Sequence, residues 1–268
     1  MTIREEPIGV DVGGRRLAGT LVSPGERLPG FLLVHGWGGD QTQYLARARE
    51  IAALGCLCLT FDLHGHAETQ EDQDKVSRED NLADVLAAYD QLANHPMVDR
   101  ESIGVVGSSY GAYLAAILTA LRPVRRLGLR VPALYFDEDW AVPKAKLDKR
   151  KIASYRRGPV SPDENRALGA CAAFGGDVLI VESERDTIIP HQTVTNFREA
   201  FEAARSLTYR VIAQADHALT ERRWQEAYTT ILLGWATEML VGERSGRDAP
   251  QALARMRPAP QRERATGA

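Results

Sequence analysis

Ser109 is the residue of this chain whose neighbours point most directly to chemistry. It is the centre of Gly107-Ser108-Ser109-Tyr110-Gly111, between the apolar runs "SIGVVG" and "YGAYLAAILTAL". A serine hydroxyl is a weak nucleophile until a base takes its proton, an acid orients that base, and N–H donors await an oxyanion. G-x-S-x-G between a buried strand and a helix sets the hydroxyl on a sharp turn, where the helix N-terminus adds partial positive charge. The same residues also suit an ordinary strand-to-helix turn with a capping serine. A base, an acid and a second donor elsewhere in the chain would separate the two readings.

Of six histidines, His95 precedes Pro96 in a polar loop and His191 opens a helix. His35, His64 and His66 follow early strands. His217, in "AQADHALT", stands just after the last predicted strand, at the sheet edge that carries sites in open α/β folds. It is the expected base. The acid is expected between serine and base in chain order, and "VLIVESERDTIIP" offers Glu182, Glu184 and Asp186. Glu182 falls inside the strand. Asp186 lies farthest along the loop and is the expected acid, with Glu184 the alternative. One oxyanion donor is expected from the N–H of Tyr110. The second is expected from the backbone of Trp37 in "HGWGG", where glycines let the chain approach a ligand. Trp37, Tyr110 and Trp140 either give the pocket aromatic walls or belong to the core.

These residues need a frame to hold them. "IGVDVGGRRLAGTLVSP" reads as two strands around a Gly13–Gly14 turn. "GFLLVHGWGG", "CLCLTFD", "SIGVVG", "RRLGLRVPALY", "DVLIVES" and "LTYRVIA" read as further strands, several apolar throughout, as strands buried on both faces are. Helices are expected after 40, over 81–94 and 110–121, from about 190, and over about 221–241. Strands alternating with helices predict one domain, residues 1–241, built on a mostly parallel sheet. Residues 136–175 form a long insertion that reads as a lid. From Lys144 to Arg166 it carries eight basic and three acidic residues, which suit a solvated helix face or, less simply, an anionic substrate. Residues 242–268, rich in Arg, Ala and Pro, read as a loosely packed tail.

The bulk properties exclude some classes. The net charge is −3, with 36 acidic and 33 basic residues, which gives no footing for nucleic acid. No apolar run approaches the ~20 residues of a membrane span, and "MTIREEPIGV" has no signal-peptide core. Three cysteines without framework spacing suit a reducing compartment, so a cytoplasmic protein is expected. Cys56 and Cys58 alternate in a strand and read as buried thiols on one face, not as a metal site.

Taken in order, "HGWGG", "FDLHGHAET", "GSSYG", "ERDTIIP" and "ADHAL" resemble the α/β-hydrolase family over about residues 8–241. The resemblance implies Ser109 as nucleophile, Asp186 as acid, His217 as base, and Trp37 and Tyr110 as oxyanion donors. It implies hydrolysis of a small-molecule carboxylic ester without a metal or organic cofactor, in the style of dienelactone hydrolases and cinnamoyl esterases. A serine aminopeptidase or amide hydrolase on the same residues, and a non-catalytic binding protein on the same fold, are the other readings. Asp62 to Thr69 matches a structural turn of the family but carries His64 where arginine is frequent. Asp62, His64 and His66 also admit a metal-ligand reading, which the turn makes unnecessary.

Overall fold

The computed structural model describes residues 4–23 and 28–255. Gly13 and Gly14, at φ +53° and +82°, turn β1 (Arg4–Val12) back onto β2 (Arg15–Ser23) as an antiparallel hairpin. The apolar runs supply β3 (Leu28–Val34), β4 (Leu57–Phe61), β5 (Val98–Ser108), β6 (Arg126–Arg130), β7 (Asp177–Ser183) and β8 (Ser206–Ile212). The eight strands lie in the order β1-β2-β4-β3-β5-β6-β7-β8. β2 joins β4 antiparallel, and every pairing from β4 to β8 is parallel.

Alternation along the strands feeds two separate cores. Leu32, Val34, Leu59 and Val105 pack on the side covered by α2 (Arg78–Ala93), α3 (Tyr110–Leu118) and α6 (His191–Ala200). Phe31, Leu33 and Val106 face α1 (Thr42–Ala53) and α7 (Arg222–Arg255) on the other side. Cys56 and Cys58 both fall in this second core as free, buried thiols. α3 is buried on every side, as its unbroken apolar sequence requires. Ser77 and Asp80 close a capping box on α2, each side chain accepting from the other's backbone N–H.

Three boundaries differ from the sequence reading. β6 stops at Arg130, not near 135, because Val131 turns to φ +39° and Pro132 has no N–H to extend the ladder. The last helix continues past 241 to Arg255, and residues 256–268 of the expected tail lie outside the described residues. The 136–175 insertion divides in two. Its first part carries α4 (Lys149–Tyr155), while α5 (Arg166–Ala173) sinks Leu168 and Cys171 into the main core. The fully buried Arg78 fixes the root of the insertion, donating to the carbonyls of Phe136 and Glu138 at 2.7 Å each.

Candidate active site

β5 ends at Ser108 and α3 starts at Tyr110, so Ser109 alone makes the turn, at φ 53° and ψ −113°. A serine is strained there, and surrounding bonds hold it. Its N–H donates to the carbonyl of Arg130 at 2.8 Å, and its own carbonyl accepts from the N–H of Ala133 at 3.0 Å. The flanking glycines are required by contact. A Cβ on Gly107 would lie 2.5 Å from the carbonyl oxygen of Gly111, and one on Gly111 only 2.4 Å from those of His35 and Val34. Gly111→Ala is therefore expected to destabilise the fold by about 1–3 kcal/mol and to displace the serine. Urea unfolding alongside an activity assay checks both effects.

The ends of β7 and β8 bring the other two residues to Ser109. Asp186 Oδ1 accepts from the N–H groups of Ile188 and Ile189 at 2.8 Å each, which leaves Oδ2 for His217 Nδ1 at 2.6 Å. His217 Nε2 lies 3.1 Å from Ser109 Oγ. With Nδ1–H donating to Asp186, Nε2 carries the lone pair that accepts the serine proton. The expected acid, base and serine are thus contiguous. The two other carboxylates are occupied elsewhere: Glu184 accepts from the N–H of Gln214 at 2.6 Å, and Glu182 accepts from Tyr209 and faces His191 at 2.8 Å.

The remaining histidines have other work. His95 Nδ1 accepts from the N–H of Met97, and His191 is exposed on α6. His35 is wholly buried. Its Nδ1 donates to the carbonyl of Gly36 at 2.8 Å and its Nε2 accepts from the N–H of Leu63 at 3.0 Å. It thereby braces the "HGWGG" loop against the turn after β4. Asp62 accepts from the backbone and side chain of Gln41 at 2.7 and 2.9 Å, fixing the start of α1. His64 donates its N–H to Asp84, and its carbonyl lies 3.2 Å from His66 Nδ1, so the turn accounts for all three residues of the metal reading. Among the described residues, no group of three or more His, Cys, Asp or Glu is placed to hold a metal ion.

His66 is buried with its ring 4.8 Å from that of Trp37 and 5.0 Å from that of His35. Burial, reinforced by His35, pushes its imidazolium down to about 4. The folded state therefore binds fewer protons than the unfolded chain between about pH 4 and 6.5, and stability falls as pH drops through that window. His66→Gln is expected to flatten the slope of unfolding free energy between those limits, read by urea titration at several pH values.

Trp37 lies between two cavities. One, about 480 Å³, is lined by Ser109, His217 and the 36–39 loop on one side and by Tyr44, Arg130 and Tyr228 on the other. The second, about 400 Å³, lies under the insertion against Tyr135, Leu147, Ile152 and Ile188. Lys144 stands 3.7 Å from the centre of the Trp37 ring, and burial together with Arg156, Lys149 and Arg78 pushes its ammonium down to about 7. Arg156 is buried and donates to the carbonyl of Leu134. These two depart from the solvated face read from the sequence, whereas Lys146, Lys149, Arg150, Lys151 and Arg157 are exposed.

Trp140 lines neither cavity. It packs between the guanidinium groups of Arg78 and Arg166, at 5.4 and 3.9 Å, so the wall expected from it is absent. The Tyr110 ring is buried and donates its hydroxyl to Asn81 Oδ1 at 3.0 Å. Its N–H, the first of α3, has no acceptor within the helix. Arg47 and Arg130 were missed. "RRLGLRV" ends an otherwise buried strand on an arginine, a signal that a cation is held at the site edge.

An uncharacterized protein of Mycobacterium tuberculosis is 28% identical over 191 residues, covering 69% of this chain and 64% of that protein. The chain therefore spans just under two-thirds of this relative's length. Among solved structures, a dienelactone hydrolase from Anabaena variabilis superposes with TM-score 0.62 at 21% identity, over 87% of this chain and 96% of that one. Est1E from Butyrivibrio proteoclasticus, with ferulic acid bound, superposes with TM-score 0.67 at 16% identity, over 89% and 99%. These likenesses are of fold. The alpha/beta hydrolase family description matches residues 31–266, and with the strand order and the turn at Ser109 it places this chain in that family.

Proposed function

We propose that the protein is a serine hydrolase that cleaves a small or medium carboxylic ester through an acyl-enzyme on Ser109. The observation that carries this reading is the unbroken path Asp186–His217–Ser109 at the head of α3, with distances of 2.6 and 3.1 Å. His217 Nε2 takes the hydroxyl proton as Oγ attacks the carbonyl carbon, and returns it to the leaving alkoxide. Asp186 holds the imidazole in the right tautomer and stabilises the imidazolium. The N–H groups of Tyr110 and Trp37 receive the oxyanion. Water, deprotonated by the same histidine, then releases the acid and restores Ser109.

Two features favour an ester over an aminoacyl amide. A substrate amine calls for an anion in the pocket, and Asp137, an acid at the start of the insertion, is bonded to Arg166. Among the described residues, the lining of both cavities includes cations and no carboxylate. The fold likeness to a dienelactone hydrolase and to Est1E, with ferulic acid bound, is in keeping with this. The buried free thiols suit the cytoplasm as the compartment. Hydrolysis of p-nitrophenyl esters of graded acyl length, beside aminoacyl p-nitroanilides, tests the reading. Faster cleavage of the anilides would move the assignment to an amide hydrolase.

A further inference from the structure

The cavity that holds Ser109 and His217 is also lined by two arginines, Arg47 from α1 and Arg130 from the end of β6. They flank one aromatic ring, their guanidinium carbons 4.9 and 5.7 Å from the centre of Tyr228. Among the described residues, neither forms an ion pair with a carboxylate. Arg130 is only 7% exposed; its Nε donates to Ser108 Oγ at 3.0 Å and its Nη2 to the carbonyl of His217 at 2.8 Å. Its Nη1 is buried without a partner. Arg47 donates Nη1 to the carbonyl of Gln43 one turn back at 3.0 Å, and its Nε is likewise buried without a partner.

Two guanidinium groups without a carboxylate partner line one cavity, and each keeps one buried N–H unpaired among the described residues, which is costly because a buried donor without an acceptor loses its hydration for nothing. A ligand anion in the cavity would supply the counter-charge that both guanidinium groups lack. Guanidinium N–H groups match planar carboxylate oxygens better than a point charge does. The cavity also contains the serine and the histidine, so the anion and the reacting carbonyl belong to one molecule. We propose that Arg47 and Arg130 form a carboxylate subsite, and that the substrate is a half-ester or other ester that carries a free carboxylate. This rests on the ester reading of Ser109 and adds the charge of the substrate to it. Arg130 has a second task, since its bonds to Ser108 and His217 tie the nucleophile strand to the base loop.

Arg47 is the residue to vary, because its one hydrogen bond lies within its own helix. Mono-p-nitrophenyl glutarate and p-nitrophenyl valerate present acyl chains of equal length, with and without the charge. The wild type is expected to favour the glutarate by about tenfold or more in kcat/KM, expressed in KM since the contact is remote from the carbonyl. In Arg47→Met that ratio collapses, and Arg47→Lys restores part of it. Binding is read separately by calorimetry on Ser109→Ala, which is expected to bind monomethyl glutarate and to lose that binding when Arg47→Met is added. No ester turnover, with Arg47-dependent binding of monomethyl glutarate intact, would sink the esterase reading and leave the subsite standing. Turnover of the valerate with no preference for the glutarate, or a ratio unmoved by Arg47→Met, would overturn the subsite alone. Inorganic phosphate binding in place of the carboxylate would overturn the chemical class assigned to it.

Discussion

Ser109→Ala is expected to abolish ester turnover, with a loss on the order of 10⁶ in kcat, while the thermal midpoint is expected to stay at the wild-type value. The size follows from how the three groups depend on one another. Without Oγ, the imidazole 3.1 Å away has no proton to take and no bond to form, so what remains is binding and oxyanion stabilisation. The fold is spared because the turn is held through backbone atoms, the N–H of Ser109 on Arg130 and its carbonyl on Ala133, which alanine keeps. A fluorophosphonate probe gives an independent readout: it labels the wild type and fails on the variant. The neighbouring serine is the control. Ser108 is buried with its hydroxyl accepting from Arg130, whereas the His217 imidazole reaches Ser109, so Ser108→Ala is expected to keep its labelling. If Ser109→Ala still turned over esters, the serine between the glycines would be a turn and nothing more.

The parts of this arrangement that a linear reading reaches are those set by local rules. The strand-to-helix context of G-x-S-x-G, the position of His217 after the last strand and the chain order of the acid are local, and the geometry brings all three together. The choice of Asp186 over Glu184 was legible for a local reason too. Asp186 precedes "TIIP", whose backbone N–H groups fold back onto its carboxylate. What escaped notice depends on distant pairings. Trp140 looked like a pocket wall, but it is drawn aside by Arg78 from α2 and Arg166 from α5. Lys144 reads as solvated within a basic segment, but its N–H bond to Val76 and the pairing of Pro143 with Ser77 tie it across the fold, with its ammonium over Trp37. Arg47 and Arg130 are 83 positions apart, and no periodicity connects them to Tyr228. The end of β6 is legible only in part: Pro132 marks where the ladder stops, but the side chain of Val131 gives no sign that its φ turns positive.

Asp186→Asn is expected to lower kcat by about 10⁴, whereas Glu184→Gln is expected to stay within about twofold of wild type, as an exposed substitution away from the reacting atoms should. The asymmetry comes from which atoms each carboxylate serves. In Asp186 one oxygen is already committed to two N–H donors, those of Ile188 and Ile189. An asparagine there must keep its carbonyl oxygen on those donors, because reversing the amide would set N–H against N–H. Its NH₂ then faces His217 Nδ1, where the carboxylate had accepted a hydrogen bond at 2.6 Å. To accept from that amide, Nδ1 must give up its hydrogen, and the proton moves to Nε2. The nitrogen that faces Ser109 is then a donor and cannot act as base. The imidazolium of the transition state also loses its counter-charge. Glu184 accepts from the N–H of Gln214, and glutamine still offers a carbonyl oxygen to it. Steady-state kcat for the two variants on one p-nitrophenyl ester decides the matter: the reverse ranking would transfer the acid to Glu184.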